Sequence, residues 1–319
     1  MSHVAIFGID VDQARLVVAR HGMEGTQTID NQAAAIRAWL KHTPAGSRIG
    51  VESTSRYHET VVRLAQAAGH TVYVLNPRDV RHYAKSIGRR GKTDRVDAVV
   101  IARYVAKEAD QLHPYVPRTD RQQALHVLLQ RRAAVQRART QLRQALTAHG
   151  PAPAFQPLMD AARQALRQID THIREHMRQG AQAALFQRLV TIPGIGPVIA
   201  TCLVHHLQRW PLARVDSWIA CTGLDPRPND SGRKIGVRVL SKRGDATLRQ
   251  MLYLAAMTFA RHPLGKALAD RYRQRRFCST AIYTILARLL ARIAWHLAKT
   301  SSCFDADRFA KDHHIPLQA

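Results

Sequence analysis

Four carboxylates stand out by type and spacing. Asp10 closes an apolar run that begins at residue 3, and Glu52 closes the run Arg48-Ile49-Gly50-Val51-Glu52. Asp94 and Asp97 lie three apart in Lys92-Thr93-Asp94-Arg95-Val96-Asp97-Ala98, a spacing that puts both on one helix face. If the two apolar runs are neighbouring strands, Asp10 and Glu52 emerge at the same edge of a sheet. Carboxylates gathered at one point repel unless cations neutralise them, and hard oxygen ligands select Mg²⁺ or Mn²⁺. Two such ions, about 3.5–4 Å apart, can activate the attacking oxygen and stabilise the leaving one in phosphoryl transfer. Singly, each residue has a blander reading. An Asp at a strand end is a turn residue or cap, Asp94 interacts with a helix dipole, and Glu52 is a solvated strand end. Asp12 competes with Asp10 but lies past the apolar run, in the turn. The co-occurrence of all four makes Asp10, Glu52, Asp94 and Asp97 a candidate metal-binding, catalytic tetrad.

A second constellation lies in the C-terminal half. Thr191-Ile192-Pro193-Gly194-Ile195-Gly196-Pro197 separates two helical stretches. Gly194 and Gly196 in such a hairpin expose backbone N–H groups that can hold a phosphate without reading sequence; the alternative is a tight turn with no ligand. Farther on, Ser231-Gly232-Arg233-Lys234 and Ser241-Lys242-Arg243-Gly244 lead into Arg249. Residues 231–276 hold 12 Lys/Arg against 2 Asp/Glu, a balance of +10. Arg233, Lys234, Lys242, Arg243 and Arg249 are therefore candidate nucleic-acid contacts. An exposed Ser231 flanked by cations could attack a phosphodiester, the cations stabilising the developing charge. A bare Ser-Gly is ordinarily a turn, and Ser241 is the local rival.

The elements that must position these groups follow from periodicity. Residues 3–10, 15–21, 26–29, 48–52 and 71–75 read as strands, and 31–41, 57–68 and a stretch from Thr93 to Lys107 as helices. The order β-β-β-α-β-α-β-α predicts a mixed sheet with helices on its faces, which is the ribonuclease-H-like order. Residues 118–149 predict one long helix, with Leu128, Val135 and Leu142 at heptad spacing. The companion seam positions Leu125, Arg132, Arg139 and Leu146 include two charges. Gly150-Pro151-Ala152-Pro153 breaks that helix, and a second follows over 157–187. The pair reads as a coiled-coil-like arm or a plain solvated hairpin, and it offers a surface for assembly into a homodimer or homotetramer. The expected division is a 1–110 α/β domain, a 111–186 helical linker, a 187–300 mainly α domain and a 301–319 tail, of which residues 304–319 look loosely ordered.

Composition bounds the partners. With 48 Lys+Arg against 23 Asp+Glu, the 319-residue chain carries a formal charge of +25, which attracts polyanions, above all nucleic acid. No uninterrupted apolar run approaches a bilayer span, so a membrane partner is not expected. None of the four cysteines forms a C-x-x-C pair, which argues against a zinc ribbon. The N-terminus reads as a first strand rather than a signal peptide, and a cytoplasmic protein with reduced thiols is expected.

The segments Phe7-Gly8-Ile9-Asp10-Val11, Ile49-Gly50-Val51-Glu52-Ser53-Thr54, Asn76-Pro77 and Lys92-Thr93-Asp94-Arg95-Val96-Asp97-Ala98 resemble the DEDD domain of the IS110/IS1111 family of transposases. Residues 187–276 resemble the second conserved domain of the same family, with its P-G-I-G hairpin, G-L-x-P-R block, S-G pair and S-K-R-G-x-x-x-L-R block. The resemblance implies a RuvC-like, ribonuclease-H-type N-terminal fold, site-specific recombination of a mobile DNA element, Asp10, Glu52, Asp94 and Asp97 as the acidic tetrad, and Ser231 as the nucleophile. It also implies DNA as substrate and an element-encoded guide RNA as partner. A stand-alone RuvC-like nuclease would use the tetrad without a serine. An actin-like ATPase would need a Gly-rich phosphate loop where this chain has Asp10-Val11-Asp12-Gln13. A non-catalytic nucleic-acid-binding protein would leave the four carboxylates without a purpose.

Overall fold

The structure is a computed structural model. It describes residues 4–53, 57–89, 93–147, 150, 153–178, 182–209, 213–228, 236 and 238–316, which fall into two compact units, Met1–Pro117 and Arg118–Ala319.

The first unit is built on strands β1 (Ile6–Val11), β2 (Arg15–Arg20) and β3 (Gln27–Asp30), helix α1 (Ala33–Lys41), β4 (Arg48–Glu52), α2 (Glu59–Ala67), β5 (Thr71–Leu75), α3 (Pro77–Ser86) and α4 (Asp94–Glu108). The sheet order is β3-β2-β1-β4-β5. β1–β2 and β2–β3 are antiparallel, whereas β4 runs parallel to β1 and β5 parallel to β4. This is the ribonuclease-H-like arrangement expected from the order of elements. Alternation of side chains along a strand sends Phe7, Ile9 and Val11 to one face, where they pack with Ile36, Trp39 and Leu40 of α1 and Val61, Val62 and Leu64 of α2. The other face is covered by α4. It comes so close because the paired residues Gly8 and Gly50 have no side chain. A Cβ on Gly8 would stand 2.2 Å from the Ala102 nitrogen, and one on Gly50 2.5 Å from Val105 Cγ2.

One helix, α3, was not expected. Asn76-Pro77 reads as the end of a strand, and it is also the start of a helix. The Asn76 side chain accepts from the Arg78 N–H at 2.9 Å, and Pro77 occupies the first turn, where its missing N–H costs nothing.

The second unit contains α5 (Asp120–Thr147), a 3-10 turn (Pro153–Phe155), α6 (Gln156–Met177), α7 (Gln182–Val190), α8 (Pro197–Arg209), α9 (Val215–Thr222), the short strands β6 (Pro226–Pro228) and β7 (Arg238–Leu240), α10 (Ala246–Phe259), α11 (Pro263–Gln274), α12 (Ser279–Thr300) and α13 (Ala306–Asp312). The helices expected as a separate arm are built into this unit at their base. Leu125 and Leu129 of α5 and Ile173 and Met177 of α6 belong to the same core as α8, α10 and α12. The buried face of α5 is Leu125, Leu129 and Ala133, a four-residue step, whereas the heptad residue Leu142 is 36% exposed. Among the described residues the buried face of α5 does not follow a strict coiled-coil seam, because the core at the base sets which face turns inward. Arg132, one of the charges on the expected seam, bridges to Asp170 of α6 through two hydrogen bonds, Nε–Oδ1 at 2.5 Å and Nη2–Oδ2 at 3.2 Å. The single helix expected over 157–187 is two, α6 and α7.

α12 is the centre of the core. It is long and apolar enough to cross a membrane by length and composition, yet Leu286, Ala287, Leu290, Ala291, Ala294 and Leu297 are packed inside the unit. The Trp218 indole N–H, fully buried, donates to the Ala291 carbonyl at 2.9 Å. The tail expected to be loosely ordered instead forms α13. Asp305 caps it by accepting from the Arg308 N–H at 2.9 Å, and Phe309 packs edge-on to Phe259.

Candidate active site and nucleic-acid surface

The two glycines that admit α4 also fix the carboxylates. Asp10 lies two residues beyond Gly8 on β1 and Glu52 two beyond Gly50 on β4. Because Gly8 and Gly50 are paired in register, both carboxylates fall on the α4 face of adjacent parallel strands. Thr93 caps α4, its Oγ1 accepting from the Val96 N–H at 3.3 Å. That cap sets Asp94 and Asp97 in the first turn, where the helix dipole favours negative charge.

Asp10 senses the other three carboxylates. The Asp10 carboxyl is pushed up from 3.8 to about 6, first by burial and then by the charges of Asp94, Asp97 and Glu52, with a hydrogen bond from the Val11 N–H opposing. A cavity of about 760 Å³ opens here, its lining including Asp10, Asp12, Arg15, Thr28, Thr93 and Asp94. Asp12 is the turn residue expected of it: its N–H donates to the Arg15 carbonyl at 3.0 Å. Among the described residues no three His, Cys, Asp or Glu side chains close around a single point. The tetrad is thus a gathered cluster rather than a formed coordination sphere.

In the second unit, the hairpin between α7 and α8 has two unlike glycines. Gly194 has φ +87°, and a Cβ there would meet the Ala255 carbonyl oxygen at 2.7 Å and the Phe259 nitrogen at 2.8 Å. Its role is close packing on α10. Gly196 has nothing within 4 Å of its Cβ position and opens onto a cavity of about 600 Å³ that also touches Arg132, Gln136, Arg137 and Gln250. Arg137 was not singled out from sequence, since a lone Arg on a polar helix carries no signal.

Ser231, Arg233 and Lys234 lie outside the described residues, in the connection between β6 and β7. The stem of that connection is stitched tightly. Ser241 N donates to the Asp225 carbonyl at 3.0 Å, Lys242 N to Gly223 at 3.2 Å and Asp245 N to Cys221 at 3.1 Å. The Ser241 hydroxyl donates to the Asp225 carboxylate, which also accepts from Arg227 Nε at 2.6 Å. Lys242 sits at φ +52°, a conformation uncommon for a side-chain-bearing residue, and it and Arg243 are exposed. Arg249 is less free than its sequence block suggests. Its Nη1 donates to the Gly244 carbonyl at 3.2 Å and to that of Thr222 at 3.4 Å, so it ties the loop to the end of α9. Behind the loop, Asp245 caps α10 by accepting from the Leu248 N–H at 2.7 Å and faces His206 at 4.0 Å. Burial lowers the proton affinity of His206 and of its neighbours His205 and His126.

Comparison with known proteins agrees with these features. Residues 7–149 match a transposase family model of the DEDD, IS110 type, and residues 186–273 match that of the transposase IS116/IS110/IS902 family. The transposase for insertion sequence element IS1328 of Yersinia enterocolitica is 26% identical, over 95% of this chain and 99% of that one. The pilin gene-inverting protein of Moraxella bovis is 29% identical, over 80% of this chain and 81% of its own. A solved T. thermophilus RuvC in complex with Holliday junction substrate aligns with 35% of this chain at 16% identity and a TM-score of 0.28; the fold assignment rests on strand order and not on that likeness. The chain is an enzyme of the DNA-recombining transposase class. It belongs to the IS110-type family of insertion-sequence transposases, whose two models between them span most of its length.

Proposed function

We propose that this transposase breaks and rejoins DNA with two chemical centres, the carboxylates Asp10, Glu52, Asp94 and Asp97 and the hydroxyl of Ser231. The observation that carries the reading is a half-buried Asp10 whose proton affinity is raised by burial and by three further carboxylates. The donors are hard oxygens throughout and fit Mg²⁺ or Mn²⁺. Asp10 and Glu52 would ligate from the sheet and Asp94 and Asp97 from the first turn of α4. When bound, such ions supply activation of an attacking oxygen and stabilisation of a leaving one.

A recombinase must conserve the energy of the bond it breaks. Ser231 Oγ would attack phosphorus, its hydroxyl losing a proton as the departing DNA oxygen gains one. The resulting phosphoserine ester holds the strand until a DNA hydroxyl displaces it. Arg233 and Lys234 would stabilise the charge that develops. Support for Ser231 over Ser241 comes from the stem, where Ser241 already spends its hydroxyl on Asp225. Lys242, Arg243 and the open side of the hairpin at Gly196 would grip phosphates, with Gly194 and Arg249 holding those surfaces in shape. The substrate is DNA, at the element and at its target. The choice of site by an element-encoded guide RNA, and assembly as a dimer or tetramer, are carried over from the family resemblance.

The test is strand exchange on a plasmid substrate. Asp94→Ala and Ser231→Ala should each keep nucleic-acid binding and lose exchange, and a nicked substrate should trap a protein–DNA adduct that mass spectrometry maps to Ser231. An adduct on Ser241, or full exchange in EDTA, would refute the corresponding half of the reading.

A further inference from the structure

Beside the acidic cavity lies a second hollow of about 420 Å³, lined by Gly25, Thr26, Arg89, Arg95, Val96 and Val99. The two hollows are neighbours along one path. Arg95 lines both. Thr28 of β3 lines the acidic cavity, and Thr26, just before that strand begins, lines the second hollow. The groove is chemically mixed in a particular manner. Arg89 and Arg95 make no side-chain hydrogen bond or ion pair among the described residues, although Arg95 is adjacent in sequence to Asp94. Val99 is 40% exposed on the outer side of α4, and Val96 is half-buried.

Unpaired guanidiniums beside exposed aliphatic carbon suit a ligand that alternates phosphate with an apolar ring. Guanidinium binds phosphate oxygens in a planar fork, and single strands are held by cationic grooves that track the backbone. We propose that this groove is a binding site for the sugar-phosphate backbone of a single DNA strand. It would take the nucleotide next to the one at the acidic cavity, with its phosphate on Arg89 and Arg95 and its sugar or base against Val96 and Val99. The proposal rests on the reading that the acidic cavity receives DNA, and it deepens that reading by giving the strand a direction, from Asp10 across the head of α4 toward the β2–β3 turn.

The experiment uses the full chain and a short fluorescein-labelled oligodeoxythymidylate, with and without Mg²⁺. Val99→Cys places a thiol in the lining of the groove, and its alkylation by iodoacetamide is followed by mass spectrometry, which separates it from Cys278 and Cys303. The oligonucleotide should slow that alkylation several-fold. Adding Arg89→Gln and Arg95→Gln should remove the protection and reduce the slope of log affinity against log salt by about 1.4, that is about 0.7 per lost phosphate contact on a single strand. Arg37→Gln, an exposed position of α1 on the opposite face of the sheet, should change neither. Equal alkylation with and without oligonucleotide overturns the proposal, as does protection that survives loss of both arginines. Both readouts measure occupancy and not chemistry, so they stand apart from whether Asp94 holds a metal.

Discussion

The strain of the carboxylate cluster is measurable as stability. Asp10 carries a proton in the folded chain up to about pH 6, against 3.8 for an ordinary carboxyl. A raised value means the folded state binds more protons than the unfolded state between those limits. Stability is therefore greatest below the ordinary value and falls as pH rises through about 6. At 1.36 kcal/mol per pH unit the full shift corresponds to about 3 kcal/mol. Asp10 retains contact with solvent, and screening reduces this to about 1–2 kcal/mol. Asp10→Asn keeps the shape and removes the charge, so in EDTA at about pH 7.5 the variant should be more stable than the parent by that amount. At about pH 4 the gain should shrink toward zero, because the parent is then largely protonated too. The assay is urea unfolding followed by far-ultraviolet circular dichroism, read on the transition of the first unit. Added Mg²⁺ should stabilise the parent and leave Asp10→Asn nearly unmoved, since only a ligand that binds the folded state shifts the equilibrium. A variant no more stable than the parent at the higher pH, or a gain of the same size at both, would refute the charge-crowding argument.

Three further substitutions probe the framework. Gly8→Ala puts a methyl 2.2 Å from the backbone of α4 and should cost about 3 kcal/mol or more while displacing Asp94 and Asp97; a Tm within a degree or two of the parent would show that α4 can slide. Asp225→Ala removes the shared acceptor of Ser241 and Arg227 and should destabilise the second unit by about 1–3 kcal/mol. Ser241→Ala should cost less, and hydrogen exchange over residues 238–245 would show the loosening; unchanged protection in Asp225→Ala would count against Asp225 as the residue that holds the stem together.

The α/β half was legible because its signals are local. Apolar runs of five or six residues ending in Asp10 and Glu52 sit in strands that fix both periodicity and direction, and Thr93 announces the helix that carries Asp94 and Asp97. What failed had two meanings at short range. Asn76-Pro77 ends a strand and caps a helix with the same two residues. In α5 the heptad leucines were visible, but which face turns inward is decided by Ile173, Met177 and α8, far away in sequence. The C-terminal tail looked polar, and only the pocket around Phe259 makes Phe309 an anchor. At the site, residue types could be read but duties could not. Arg249 looks like a phosphate contact until the carbonyls of Thr222 and Gly244 are found beside it. Gly194 and Gly196 look equivalent until one is seen against α10 and the other against open space. Arg89 and Arg95 carry no signal as a pair in the sequence and meet as the lining of one hollow.

The central place of α12 bears on how the protein is made. The core of the first unit is complete by residue 117 and can close while synthesis continues, since domains form from the N-terminus onward. The second unit has no such option. Its earlier helices pack on a segment that begins at Ser279, and Trp218 waits for the carbonyl of Ala291. Throughout the translation of α5 to α11 the basic half is a chain without a centre, exposing the apolar faces that α12 later covers. A premature stop before Ser279 would leave a finished α/β domain fused to a more strongly cationic segment that lacks its central helix. Such a fragment would be a substrate for proteolysis and not a competitor of the intact enzyme.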